Sequence, residues 1–272
     1  MLQIKELVWK QSTEIDKKIL FLSDMHINAA MESEKPDVQD YMRNRTIHFE
    51  KEGISHPEKY LDEVEEYGKE KGLDLVILGG DIIDCPSPEN IEFLRERLSK
   101  LEIPLLYVLG NHDWNYSWDY LTSNSRERHV GRIEEAIRQE TDGYLSEIFG
   151  IQFLVVDSSC NRVGVNALTR IMECDKSRPL CVAMHVPFTT NTLRQLSVQK
   201  WGFETTMGGK GLVMDDTTSA FYHQLSQFNE VLLLCGHVHE FADEMLCPQL
   251  RQVVAAAGCE GNGVLIHLKG MK

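Results

Sequence analysis

Residues 75–84 read Leu-Val-Ile-Leu-Gly-Gly-Asp-Ile-Ile-Asp, and this stretch decides the fold. Four apolar residues without a polar interruption, two of them β-branched, suit a strand covered on both faces rather than the alternating pattern of a half-exposed strand. The glycine pair ends the run, and Asp81 and Asp84 follow at once. A buried strand that delivers polar groups at its carboxyl end is how open α/β sheets gather their ligands.

The same grammar recurs four times. Residues 19–23 run into Asp24-Met25-His26, residues 105–109 into Gly110-Asn111-His112-Asp113, residues 180–184 into His185, and residues 231–235 into Gly236-His237-Val238-His239. A further buried-type run spans residues 151–156. Helical spacing fills the intervals: Leu61, Val64 and Tyr67 share a face of a helix over 58–71, and Ser87-Pro88 forms an N-cap and first-turn pair before Ile91, Leu94, Leu98 and Leu101. Further helices are predicted around 126–140 and 217–228. Residues 252–268 predict a strand pair turning near Gly261-Asn262-Gly263. This α/β alternation, with no linker-like stretch, predicts one domain over residues 1–272. Two segments exceed what a connection needs, an irregular, charged insertion at 27–57 and a Gly-rich one at 186–216, and long loops of this kind are usually either functional lids or disordered segments.

At 272 residues, 42% hydrophobic and 26% charged, the chain can bury a sizeable core and is unlike disordered, collagenous or coiled-coil sequences. Asp and Glu number 42 against 28 Lys and Arg, a net charge of −14 that repels nucleic-acid phosphates except where bound cations soften it. The start carries no signal-type apolar stretch and no run approaches the ~20 residues of a membrane span, so the expectation is a cytoplasmic protein without a membrane partner. Seven cysteines, an odd number without a C-x-x-C pair, read as reduced thiols, and Cys181 and Cys235 sit inside apolar runs.

Asp-x-His at 24–26, Gly-Asp-x-x-Asp at 80–84, Gly-Asn-His-Asp at 110–113, the lone His185 and Gly-His-x-His at 236–239 occur in an order that resembles the calcineurin-like metallophosphoesterase superfamily. The resemblance implies a two-sheet β-sandwich flanked by helices in four layers. It also implies a dinuclear metal-dependent phosphoesterase in which a metal-bridging hydroxide attacks phosphorus in line. One ion would be held by Asp24, His26, Asp81 and His239, the other by Asp81, Asn111, His185 and His237, with Asp81 shared. Such ions lie about 3.5–4 Å apart and need a common anionic oxygen. A neutral Asn111 leaves more positive charge for the phosphoryl group than an Asp there would. Mn, Fe and Zn all suit these donors. His112 would bind the phosphoryl oxygen and protonate the leaving alkoxide, and Asp84 would accept its other ring proton and fix the tautomer.

Around this set, Asp113 is a candidate hydrogen-bond acceptor beside the ligands. The aromatic run Trp114, Tyr116, Trp118 and Tyr120 either offers a stacking wall for a substrate or pins its loop to the core. Arg43, Arg45, Arg194 and Lys210 either close over a substrate anion from the two insertions or are solvated charges. Gly208-Gly209-Lys210-Gly211 lacks both the preceding strand and the following Ser/Thr of a phosphate loop. No Cys is followed six positions on by Arg, which disfavours a cysteinyl-phosphate enzyme. An acidic surface around a cationic site favours a small phosphomonoester or phosphodiester, nucleotide-like esters included, over a long polyanion such as duplex DNA. A nuclease would want a basic groove, and a protein phosphatase of the superfamily would carry Gly-Asn-His-Glu. A non-catalytic metal-binding module would be expected to lack a ligand or His112. Oligomeric state is left open by the sequence.

Overall fold

Each uninterrupted apolar run becomes a strand buried on both faces. The computed structural model describes residues 2–11, 14–29, 35–116, 122–209 and 213–270. Strands β1 (Gln3–Gln11) and β2 (Asp16–Leu22) precede helices α1 (Pro36–Lys51) and α2 (Glu58–Lys71), then β3 (Leu75–Leu78), α3 (Pro88–Lys100) and β4 (Leu105–Tyr107). Short helices α4 (Asn111–Trp114) and α5 (Ser123–Glu127) and helix α6 (Val130–Ile137) lead to β5 (Tyr144–Ile148) and β6 (Ile151–Val156). The chain continues through α7 (Val165–Glu173), β7 (Leu180–Met184), α8 (Asn191–Trp201), α9 (Asp216–Leu225), β8 (Val231–Cys235), β9 (Ala242–Cys247), β10 (Leu250–Val254) and β11 (Asn262–Gly270).

Two mixed sheets result, ordered β1-β11-β2-β3-β4 and β5-β6-β7-β8-β10-β9. Strands β2, β3 and β4 run parallel, as do β6, β7, β8 and β10. Because successive strand residues point to opposite faces, each central strand feeds two cores. Ile19, Phe21 and Ile77 meet Phe153, Leu232 and Leu234 between the sheets. Their neighbours Leu20, Leu22, Val76 and Leu78 pack outward on Leu61 and Val64 of α2 and on Ile91 and Leu94 of α3. Leu154, Val182 and Leu233 of the other sheet cover Ile171 of α7 and Phe221 and Leu225 of α9. Helices, sheet, sheet and helices therefore form four layers, with each fully buried Leu, Ile or Phe contributing about 1.5–3 kcal/mol.

Three sequence expectations need correction. The 27–57 insertion is not irregular: α1 occupies Pro36–Lys51, with Pro36 in its first turn and Val38, Met42 and Phe49 buried. Those positions, with Arg45, keep a 4-3-4 spacing that the dense surface charge obscures. The 186–216 insertion likewise contains α8, where Thr190 Oγ1 accepts from the Leu193 amide and Gly202, at φ +81°, ends the helix. Finally, β10 and β11 do not pair with each other. One lies in each sheet, and residues 255–261 cross between them through a short 3-10 turn. No described helix is long and apolar enough to cross a membrane.

Candidate metal centre

The carboxyl ends of β2, β3 and β4 in one sheet and of β7 and β8 in the other converge, which brings Asp24, His26, Asp81, Asp84, Asn111, His112, His185, His237 and His239 to one end of the sandwich. Tight turns make this possible. Asp24, His26, Asp81, His237 and His239 all hold left-handed backbone, with φ of 58°, 47°, 52°, 71° and 63°. Such non-glycine conformations cost about 1–3 kcal/mol each and persist only where the surroundings over-determine them. Here the turns interlock: the Asp24 amide donates to Gly80 O at 2.9 Å, His26 to Asp81 O at 2.9 Å and Gly236 to His185 O at 3.0 Å. The buried Asp113 carboxylate accepts from the amides of Asp81, Ile82, Ile83 and Gly110 at 2.8–3.1 Å and so pins two ligand turns together. Gly80, at φ +92°, leaves space that a Cβ would fill 2.7 Å from His185 Nδ1.

Two donor clusters form, one of Asp24, His26 and His239 and one of Asp81, His185 and His237. His26 Nε2 lies 3.1 Å from His239 Nε2, which is 3.3 Å from Asp24 Oδ1. His185 Nε2 lies 3.1 Å from Asp81 Oδ2 and 3.3 Å from His237 Nδ1. Donors about 2.0–2.2 Å from a common ion stand roughly 3–3.5 Å apart, so these spacings fit transition-metal coordination. Asp81 joins the clusters. Its Oδ2 faces His185 at 3.1 Å and His26 at 4.0 Å, while its Oδ1 accepts from the His112 amide at 2.7 Å. Asn111 supplies an independent indication: its Oδ1 is buried without a hydrogen-bond partner, and a cation is the group that would satisfy it. The opposite ring nitrogens are committed elsewhere, His26 Nδ1 at 2.8 Å from Asp84 Oδ1 and His185 Nδ1 at 2.8 Å from Gly79 O, which leaves each Nε2 to face the cluster.

The electrostatics follow from this crowding. Burial pushes the Asp24 carboxyl up, but His239 and His185 outweigh it and hold it below the usual range. Asp81 behaves likewise, with His185 and His112 overcoming burial. Burial together with the positive His185 pushes His237 down to about 3, so its Nδ1 offers a lone pair. His185 is pushed up to about 10 because Asp81 outweighs its burial. A cation entering here displaces that proton. A third cluster, His26, Asp84 and His112, is differently occupied. The buried Asp84 accepts from Arg45 Nε and Nη2, both at 2.7 Å, and its Oδ1 lies 3.2 Å from His112 Nδ1. Burial lowers His112, but Asp81 and Asp84 outweigh it and raise the imidazole to about 9.

These groups floor a cavity of about 780 Å³. Its lining includes Arg45, Phe49 and Ile54 from α1 and the segment after it, and Val198, Lys200, Trp201 and Phe203 from α8 and the segment after it. Both insertions thus reach the site, and among the described residues Arg45 is the one expected substrate-binding residue found in the lining. Trp114 gives no stacking face: it is fully buried, and its Nε1 donates to Ser159 Oγ at 2.8 Å. Tyr116 packs edge-on against Tyr41, with ring centroids 6.2 Å apart, outside the cavity lining. Arg43, two positions from Arg45 and hence across the helix, pairs with Asp40 at 2.8 Å on the surface. Arg194 donates to Asn191 Oδ1 at 3.2 Å and does not line the cavity. Lys210, Trp118 and Tyr120 lie outside the described residues. The sequence reading missed Phe49, whose ring centroid is 5.4 Å from that of His26, and Trp201, 5.0 Å from that of His239. The 4-3-4 spacing through α1 would have flagged the first. No local motif flags the second.

Comparison with known proteins agrees with this architecture. A stretch of 40 residues is 45% identical to the glycerophosphodiester phosphodiesterase GpdQ of Enterobacter lignolyticus (strain SCF1), but it covers only 15% of this chain and 14% of that protein. The fold is similar to that of a dimetal phosphatase from Danio rerio, with a TM-score of 0.53 at 12% identity over 90% of this chain and 88% of the other. It is also similar to purple acid phosphatase PPD1 from yellow lupin (Lupinus luteus), with a TM-score of 0.53 at 14% identity over 91% of this chain and 45% of that one. A sequence profile described as calcineurin-like phosphoesterase matches residues 17–241. With that match across most of its length, the chain belongs to the calcineurin-like phosphoesterase family.

Proposed function

We propose that this chain is a dinuclear phosphoesterase that hydrolyses a small phosphomonoester or phosphodiester. The observation that carries the reading is the pair of donor clusters meeting at Asp81 Oδ2 beside His112. Asp24, His26, Asp81 and His239 would hold one transition-metal ion, and Asp81, Asn111, His185 and His237 the other. Mn, Fe and Zn all suit this mixture of imidazole, carboxylate and amide oxygen. When bound, the ions lower the pKa of water toward ~7 and stabilise charge developing on the phosphoryl group.

The chain's own groups do the rest. Asp113 holds the Asp81 and Asn111 turns in register. Asp84 orients His112 through Nδ1, which leaves Nε2 as the nitrogen that donates a proton to the departing alkoxide. Arg45 compensates the charge of Asp84 and presents its guanidinium at the cavity wall. The acidic surface, −14 overall, favours a substrate whose charge is confined to the cleft over a long nucleic acid. The core shared by both sheets supports one domain throughout the chain. Seven free thiols fit a cytoplasmic setting.

Elemental analysis after reconstitution tests the centre. Two ions per chain are expected, and Asp81→Asn should lower both occupancies because the shared anionic oxygen is gone. Saturation at one ion, or an Asp81→Asn protein that retains two, overturns the dinuclear assignment.

A further inference from the structure

The cavity is far larger than a phosphoryl group requires, and drug-sized ligands fill sites of roughly 300–1,000 Å³. Much of its lining is apolar. Val198, Trp201 and Phe203 are 44%, 37% and 64% exposed, yet all three line this one space, together with the buried Phe49 and Ile54. Gly202, with φ +81°, turns the chain between Trp201 and Phe203 so that both rings reach it. Surface apolar residues scattered singly need no explanation, whereas a cluster continuous with a reaction centre marks a binding face.

The charges at the rim restrict the ligand further. Glu52, Glu204 and Glu260 all line the cavity. The basic side chains there are engaged: Arg45 and His112 with Asp84, and Lys200 with Glu240 at 3.4 Å and Glu260 at 3.7 Å. A second negative group on the substrate would meet carboxylates without a free basic partner among these described residues.

We propose that the ester group of the substrate is apolar and uncharged, an aryl or medium-chain alkyl moiety seated between α1 and the Trp201–Phe203 corner, and that nucleotides and other polyanions are excluded. The proposal rests on the phosphoesterase reading for the position of the phosphoryl group. A fully buried methylene is worth about four-fold in affinity, so a half-open wall should give roughly two- to four-fold per methylene.

The test uses Mn²⁺-loaded protein and two parallel series, n-alkyl phosphates from methyl to octyl as substrates and the matching n-alkylphosphonates in calorimetry. The alkanols have similar leaving-group acidity, so chain length isolates binding. Affinity and kcat/KM should climb together with length, and an ω-carboxyalkyl phosphate of equal length should fall at least about ten-fold behind. Phe203→Ala, at an exposed position that does not threaten folding, should flatten the slope, Phe203→Leu should keep most of it, and Glu52→Gln should narrow the penalty on the carboxylated ester. Hydrolysis without dependence on length, or equal use of the carboxylated ester, overturns this inference and leaves the phosphoesterase reading intact. A length-dependent phosphonate series with no ester hydrolysed overturns the phosphoesterase reading instead. Phosphonate affinity independent of length together with no ester hydrolysed overturns both.

Discussion

Replacing His112 with alanine separates proton transfer from metal binding. The His112 side chain stands outside both proposed coordination clusters, and only its backbone amide touches Asp81, a contact that alanine preserves. Nδ1 is taken up by Asp84, 3.2 Å from both Oδ1 and the main-chain oxygen, so Nε2 is the nitrogen available at the cavity. Burial works against protonation, but Asp81 and Asp84 raise the group to about 9, which keeps the acid form dominant at neutral pH. A positioned acid contributes about 10²–10⁴ in rate, or roughly 3–5 kcal/mol of barrier. The His112→Ala protein should therefore keep both ions and lose that factor on an alkyl phosphate, with a far smaller loss on nitrophenyl phosphate, whose leaving group needs no proton. The alkaline limb of the wild-type rate profile should vanish with it. Steady-state rates on the two esters and elemental analysis of the same preparations decide the matter. Metal lost in proportion to activity, or equal deficits on both esters, would refute the assignment.

Gly80→Ala should destabilise the chain by roughly 1–3 kcal/mol and lower metal content, because a Cβ at φ +92° would stand 2.7 Å from His185 Nδ1; unchanged denaturant unfolding would count against this. Asp142, away from the site, is pushed up to about 6 by burial and by Asp157, which itself pairs with Arg126. Since its folded pKa is raised, its contribution is fully present below the unfolded value of 3.8 and is lost as pH rises through about 6. Asp142→Asn should therefore gain roughly 1–3 kcal/mol over wild type at pH 8 and converge with it near pH 3, and an equal gap at both values in urea melts would sink the argument. Chelation should lower the melting temperature, since ions that bind only the folded state at about 100 times Kd add about 2.7 kcal/mol per site; identical melts with and without chelator would contradict a folded-state metal centre.

What could be read from the sequence follows the physics of burial. Central strands β3, β6, β7 and β8 are covered on every residue, so their apolar runs mark the strand bounds directly. The missed strands β1, β5 and β9 are sheet edges with mixed exposure, and Lys5, Glu6, Glu147 and Glu244 dilute their pattern. Helix α1 was hidden for a related reason, as one buried face is set against three charged or polar ones. The crossing between β10 and β11 is set by which sheet has room for each strand, and no local turn residue encodes that. Trp114 shows the same limit on the functional side: four positions after Gly110 it could point either way, and only the assembled core, with Ser159 waiting for its indole, decides.

The candidate metal donors were legible because their geometry is local while their meeting is not. Five of the seven, all but Asn111 and His185, leave their strands by turns that need left-handed φ. The donors fall one to four residues past the strand ends, with Asp81, Asn111 and His237 directly after Gly80, Gly110 and Gly236, where a short motif can record them. The parallel order of β2, β3 and β4, and of β7 and β8, then brings all the carboxyl ends to one side without further instruction. The apolar part of the cavity wall obeys no such rule. Phe49 reaches the cavity from α1, Trp201 from the end of α8 and Phe203 from just past its Gly202 cap, and their positions depend on helix length and docking rather than on a strand end. Substitutions in these two helices and the turns after them should therefore change what fits the cavity while the donors at the strand ends stay in place, since loops and inserted segments vary more freely than the sheets that carry them.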